Sequence, residues 1–111
     1  MATLARYAAD ADRLRSMAAY RAALTVISMR EKVPPRDLAK RFACRRHAQL
    51  RGRALYLAVV TYGVSARAVA HAAGLSHELV ARACRAIEDK RDDPEMDRLL
   101  DELQLELMPS T

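Results

Sequence analysis

The stretch Ser65-Ala66-Arg67-Ala68-Val69-Ala70-His71-Ala72-Ala73-Gly74-Leu75-Ser76-His77-Glu78-Leu79-Val80-Ala81-Arg82-Ala83-Cys84-Arg85-Ala86-Ile87-Glu88 decides the fold. Ser65 is placed to N-cap a helix over 66–73, because a serine oxygen there satisfies a backbone N–H that the helix itself cannot. Val69 and Ala70 face inward from that helix. Gly74 sits in the turn. Ser76 then caps a longer helix to about residue 91, with Leu79 or Val80, Ala83, Cys84 and Ile87 as its buried stripe. Two helices joined by so short a turn have helix-turn-helix spacing, in which the first residues of the second helix reach base edges in the major groove. Many helical hairpins with a glycine turn bind nothing, so the flanking residues have to decide.

Working outward, almost every segment has helical character. No stretch alternates long enough for a strand, and Ala, Leu, Arg and Glu are strong helix formers. Residues 3–15 place Leu4, Tyr7, Ala8, Ala11 and Leu14 on one face, and 17–31 carry Tyr20, Leu24, Val26 and Ile27; the two segments read either as separate helices or as one. Val33-Pro34-Pro35 ends that run, since proline biases its predecessor away from the helical region. Pro35 suits the first turn of a short helix carrying Leu38, Ala39 and Phe42. A helix from about Gly52 to Tyr62 follows, with Leu55, Tyr56, Leu57, Val59 and Val60, closed by Gly63. Asp92-Asp93-Pro94 breaks the chain before a last helix whose apolar residues are Met96, Leu99, Leu100, Leu103 and Leu107. The expectation is a single all-α domain of five to seven helices: an N-terminal helical extension (1–31), a basic loop with the helix-turn-helix (32–91), and an acidic C-terminal helix (92–111).

Charge is distributed very unevenly. The 111 residues hold 19 Lys plus Arg against 14 Asp plus Glu, a net charge of +5. Residues 1–91 carry 18 of the basic groups and seven acidic ones, whereas 92–111 carry Arg98 and seven acidic groups. Between Arg36 and Arg53 there are seven Lys or Arg and one Asp, including Arg41, Arg45, Arg46, Arg51 and Arg53. Sixteen of the basic groups are Arg, the planar, bidentate cation. A basic body with an acidic appendage is the charge pattern of a polyanion binder. The appendage should point away from phosphate and be dispensable for DNA binding; as a plain structural element it is a solvated helix covering the core.

Other chemistry is thinly represented. No apolar run approaches the ~20 residues of a membrane span, and the N-terminus lacks the apolar core of a secretory signal, so the chain reads as cytoplasmic and nucleoid-associated. Cys44 and Cys84 form no CxxC pair, and His47, His71 and His77 share no ligand spacing, so neither a zinc site nor any other cofactor is expected. Cys84 reads as a small core side chain and Cys44 as a surface thiol. No nucleophile–base or carboxylate pair has catalytic spacing, and the expectation is a protein without enzymatic activity.

The segment ending Ala83-Cys84-Arg85-Ala86-Ile87-Glu88 resembles the signature of the C-terminal DNA-binding domain of the bacterial replication initiator DnaA, a Trp-repressor-like helix-turn-helix family. The match falls on Gly74, His77, Val80, Ala83, Cys84, Arg85, Ile87 and Glu88, and the resemblance covers roughly residues 24–107. Ser65 agrees with the family's capping serine, and Arg51-Gly52-Arg53 resembles its Arg-Pro-Arg basic loop, which lies in the minor groove. The family's ATPase module and Walker A sequence have no counterpart. Leu75, Ser76, Glu78 and Leu79 replace the Arg, Asp and two Thr that read the family's DNA box. The resemblance therefore implies a stand-alone DnaA-like regulator, similar to the DNA-binding part of gene transfer agent activators, that reads a different site.

What it implies for residues is a division of labour. Ser76, His77 and Glu78 face base edges; Arg82 meets phosphate; Arg51 and Arg53 enter the minor groove; Arg45, Arg46, Ser65 and Arg67 complete the contact. Each residue also has a structural reading: His77 as a helix-capping group, Glu78 as a first-turn acid favoured by the helix dipole, and Arg85 as a partner for an acid in the fold. The leading expectation is a sequence-specific double-stranded DNA-binding transcription regulator, acting as an activator. The transcription machinery, a co-activator or a DNA-bending protein would be its partner. A replication-linked origin-binding factor and a helical adaptor for an acidic protein are the alternatives.

Overall fold

A computed structural model describes the backbone of residues 2–40 and 42–108, and the side chains of residues 10–40 and 42–108. Six helices and no strand occur among the described residues: α1 (Ala2–Glu31), α2 (Pro35–Leu38), α3 (Arg45–Tyr62), α4 (Ala66–Ala73), α5 (His77–Lys90) and α6 (Pro94–Leu107). The all-α architecture expected from composition is present. The two N-terminal segments are one continuous helix, because nothing between Leu14 and Met17 interrupts the ladder.

Helix α3 is the axis of the fold. It packs against each of the other five helices, and every residue from Leu50 to Ala58 except Arg53 is buried. From Ala54 to Ala58 the helix meets neighbours on every side and is apolar all round, which is why this segment shows no amphipathic stripe. It also begins at Arg45, seven residues before the expected start at Gly52. Glycine costs an exposed helix roughly 0.5–1 kcal/mol relative to alanine, and that cost made Gly52 look like a boundary. Here it lies mid-helix against α5, where a hypothetical Cβ would meet the Cβ of Ala83 at an ordinary contact distance of 3.8 Å.

The other helices wrap this axis. Helix α1 presents Ser16, Ala19, Tyr20, Ala23, Leu24 and Ile27 inward. It ends at Lys32, whose φ of 57° is left-handed, as Val33 N–H returns to Ser28 O at 3.1 Å. Helix α2 buries Leu38 but stops there, so Ala39 and Phe42, expected on its apolar side, are exposed instead. The expected face Leu4, Tyr7 and Ala8 lies outside the described side chains, while Leu14 is 67% exposed and Ala11 is exposed too. Val60, counted as apolar filling, is 40% exposed.

Acidic α6 belongs to the core. Leu100, Leu103 and Leu107 are buried in the same cluster as Leu55 and Ile27. Arg91, which follows α5, ties it down: the guanidinium donates to Asp97 Oδ1 at 2.6 Å, Asp101 Oδ1 at 3.0 Å, Gln104 Oε1 at 2.8 Å and Tyr56 Oη at 2.8 Å. Tyr56 in turn donates to Glu88 at 2.5 Å. Burial and the Glu88 carboxylate raise the Tyr56 phenol above its ordinary value, with Arg91 pulling the other way. The expected appendage is therefore a structural wall. Deleting residues 94–111 should abolish the cooperative unfolding transition measured by circular dichroism. The point substitution Leu103→Ala should cost about 2–5 kcal/mol of unfolding free energy in urea titration.

Candidate nucleic-acid interface

Two residues of local chemistry aim α5. Gly74 adopts φ 70°, a left-handed conformation that ends α4, and Leu75 N–H returns to Ala70 O at 2.9 Å. Ser76 then opens α5, its Oγ accepting from Leu79 N–H at 3.1 Å. Ser76 is thus a structural cap with an exposed side chain, as Ser65 is for α4, where Oγ accepts from Ala68 N–H at 3.0 Å. Both capping expectations hold. Val80 and Ile87 are buried and fix the inner side of α5.

The outer side carries His77, Glu78, Ala81, Arg82 and Arg85, which line one shallow depression. Their spacing follows the helical repeat, so they share a face. His77, Glu78, Arg82 and Arg85 are exposed, and none joins an ion pair or side-chain hydrogen bond among the described residues. Arg85, for which an acidic partner in the fold was one reading, has none among those residues. Its place on this face is readable as the third member of the series 77, 81, 85, the one site-grade arginine the expected set of contacts lacked.

The remaining residues do not gather at this depression. Arg45 lies beside a second groove between α3 and α5, floored by Gly52, Ala83, Ala86 and Ile87, with Lys90 also lining it. Arg46 is engaged with Glu31 at 3.4 Å. Arg53 is half-buried on α3. Arg67, exposed in the first turn of α4, shares a groove with Ser65, His71 and Asp12 and Arg13 of α1.

Arg51 is a correction. It is 6% exposed in mid-helix, and its Nη1 donates to the Lys40 carbonyl at 2.6 Å, pinning the loop between α2 and α3 to the axis. Its Nε has no partner among the described residues, and its charge opposes the upward push that burial gives the nearby Tyr20 phenol. Arg51-Gly52-Arg53 is therefore neither a loop nor the opening of a helix. Arginine fits a helix interior well, and the local basic pattern could not distinguish a flexible loop from an enclosed helix.

Among the described residues no group of three His, Cys, Asp or Glu is placed to hold a metal ion. No helix there is long and apolar enough to cross a membrane. Cys44 is exposed, whereas Cys84 is half-buried and burial raises its thiol above the ordinary value. No family model matches the chain, and neither the curated proteins nor the solved structures include a significant match.

Two outcomes follow from this placement. Arg51→Ala should destabilise the fold by about 1.5–3 kcal/mol through loss of a charged hydrogen bond, whereas Gly52→Ala, with ordinary contact room, should leave it equal or firmer in thermal unfolding. In alkylation mapped by mass spectrometry, Cys44 should react first and Cys84 markedly later.

Proposed function

We propose that this protein is a sequence-specific double-stranded DNA-binding transcription regulator that lays the first turns of α5 in the major groove. The observation that carries the proposal is the outer face of α5, where His77, Glu78, Arg82 and Arg85 are exposed together without ion-pair or side-chain hydrogen-bond partners among the described residues. By contrast, Arg13, Arg15, Arg30, Arg46 and Arg91 are matched to carboxylates within the fold. Unmatched guanidinium groups are free to displace counterions from phosphate, the main source of nonspecific affinity for DNA.

The chemistry of the face supports base reading in its first turn and phosphate binding further along. Glu78 accepts from the amino group of cytosine, and His77 donates or accepts according to its tautomer. Arg82 and Arg85 neutralise the flanking strand. Arg45 and Lys90 supply phosphate contacts beside the same helix, and Arg67 does so from the first turn of α4. Arg51 acts indirectly, by holding the Lys40 loop. The sequence resemblance at Gly74, His77, Val80 and Ala83-Cys84-Arg85 favours the stand-alone DnaA-like regulators, among them the DNA-binding subunits of gene transfer agent activators. With the DnaA box residues replaced, the recognition sequence differs.

Mobility shift against genomic fragments at rising salt tests the proposal. The logarithm of the association constant should fall linearly with that of salt, and Arg82→Ala or Arg85→Ala should each flatten the slope by about 0.9. On a selected site, His77→Ala or Glu78→Ala should cost about 1–3 kcal/mol, and much less on random DNA. Absence of salt-dependent binding would overturn the proposal in favour of an acidic protein partner. Genomic occupancy confined to an origin would replace transcription with replication.

A further inference from the structure

Helix α1 has two apolar stripes, and the fold uses one. The inward stripe, Ser16, Ala19, Tyr20, Ala23, Leu24 and Ile27, is buried against α3 and α4. A second stripe runs through Ala11, Leu14 and Ala18, all exposed, and reaches Met29 near the helix end. Leu14 is 67% and Met29 76% exposed. At about 100° per residue the two stripes lie on opposite sides of the helix. The rest of the fold flanks only the C-terminal half of the second stripe, where Ala18, Arg21 and Thr25 share a groove with Tyr62, Glu106 and Leu107.

The spacing of this second stripe is specific. Counted along the sequence, Leu4, Tyr7, Ala11, Leu14 and Ala18 alternate steps of three and four, the repeat of a helix that pairs with another helix in a left-handed supercoil. In that register Ala11 and Ala18 occupy a positions and Leu14 a d position, with Asp10 at g and Arg15 at e. A parallel pair of identical helices brings the g residue of one chain beside the e residue of the next heptad of the other. Arg15, already held by Asp12 of its own chain at 2.5 Å but 69% exposed, has further N–H groups to donate, and Asp10 of one copy then faces Arg15 of its twin, on both sides of the seam. Within one copy Asp10 has only a 4.0 Å approach to Arg13, so its carboxylate is open to a closer partner. Beyond Ala18 the d position is Arg21, which ends the seam beside the groove that Ala18 and Arg21 share with Tyr62, Glu106 and Leu107.

We infer that the face of α1 carrying Ala11, Leu14 and Ala18 is the interface of a parallel homodimer, in which two copies of α1 pair through their N-terminal halves. The occupant is a second copy of this chain because the seam is complementary to itself in charge as well as in apolar spacing. With the inward stripe on the far side, the two bodies sit on opposite flanks of the paired helices and do not compete for the seam. Each copy of α5 stays free, so the inference is independent of whether α5 binds DNA.

Sedimentation equilibrium of the full chain from micromolar to near-millimolar concentration reads the interface directly, without nucleic acid. The expected result is a reversible dimer whose dissociation constant rises at least about tenfold in Leu14→Asp and in Ala18→Glu. Leu105→Asp, an equally exposed leucine on α6, should leave it unchanged. Circular dichroism of each variant should remain that of the wild type, since neither Leu14 nor Ala18 is buried. The parallel arrangement is read separately: Leu14→Cys, in a chain with Cys44→Ser and Cys84→Ala, should form an interchain disulfide on oxidation. A monomer at every concentration would overturn the inference. So would a dimer indifferent to Leu14→Asp and Ala18→Glu, or one weakened by Leu105→Asp. A dimer that is sensitive to these changes but gives no disulfide at position 14 would overturn the parallel pairing.

Discussion

The enclosure of α3 is the constraint on which the rest depends. Five helices have to be arranged around one, and the fold manages this with only 18 residues of axis. Each neighbour uses a different part of it: Arg51 holds the loop leading in, Gly52 lies against Ala83 of α5, and Tyr56 offers its hydroxyl to Glu88 and Arg91. A small protein buries a limited fraction of its surface, so concentrating burial on one segment is an efficient way to reach a stable core. The consequence for the candidate interface is direct. Helix α5 is held from below by Val80 and Ile87 and along its flank where Ala83 meets Gly52, so its outer face is fixed in direction without an ion pair or side-chain hydrogen bond of its own among the described residues.

Much of this was legible in the sequence where short-range chemistry decides. Ser65, Gly63, Gly74, Ser76 and Pro94 are boundary residues for reasons confined to a few neighbouring atoms, and the helices around them fall close to their expected limits. The apolar residues of α6 were equally plain, because Leu100, Leu103 and Leu107 follow the helical repeat. What the sequence concealed was everything set by distant contacts. The start of α3 could not be read because Gly52 has the propensity of a boundary and the environment of a core. Arg51 could not be read because a buried arginine and a groove-binding arginine look alike until the carbonyl of Lys40 appears beside one of them.

The candidate site divides in the same way. His77, Glu78 and Arg82 were expected from the opening of the second helix and from the resemblance, and their common face follows from the helix repeat. Arg85 belongs with them, but whether it met an acid elsewhere depended on packing. The acidic residues of α6 were the likeliest competitors for such cations, and they are already occupied: Arg91 holds Asp97 and Asp101, and Arg30 holds Glu102 and Glu106. Four of the five carboxylates of α6 are held in this way, so little of it is left to compete for the arginines of α5, although the helix keeps a net negative charge.

That same bookkeeping of carboxylates gives the molecule a polarity. Helix α5 is 14 residues long, so about 20 Å separates its first turn from its last. One end bears His77 with Arg82 and Arg85 behind it; the other runs into Arg91 and the acidic wall. Arg82 and Arg85 lie nine and six residues before Arg91, about 9–14 Å along the helix, and these cations and the carboxylates of α6 constitute a permanent electric dipole carried by a rigid body. Near any highly charged polymer such a body feels a torque before it feels a contact. It would turn the cationic part of α5 forward and the acidic helix away, and a smaller share of its collisions would be wasted in wrong orientations.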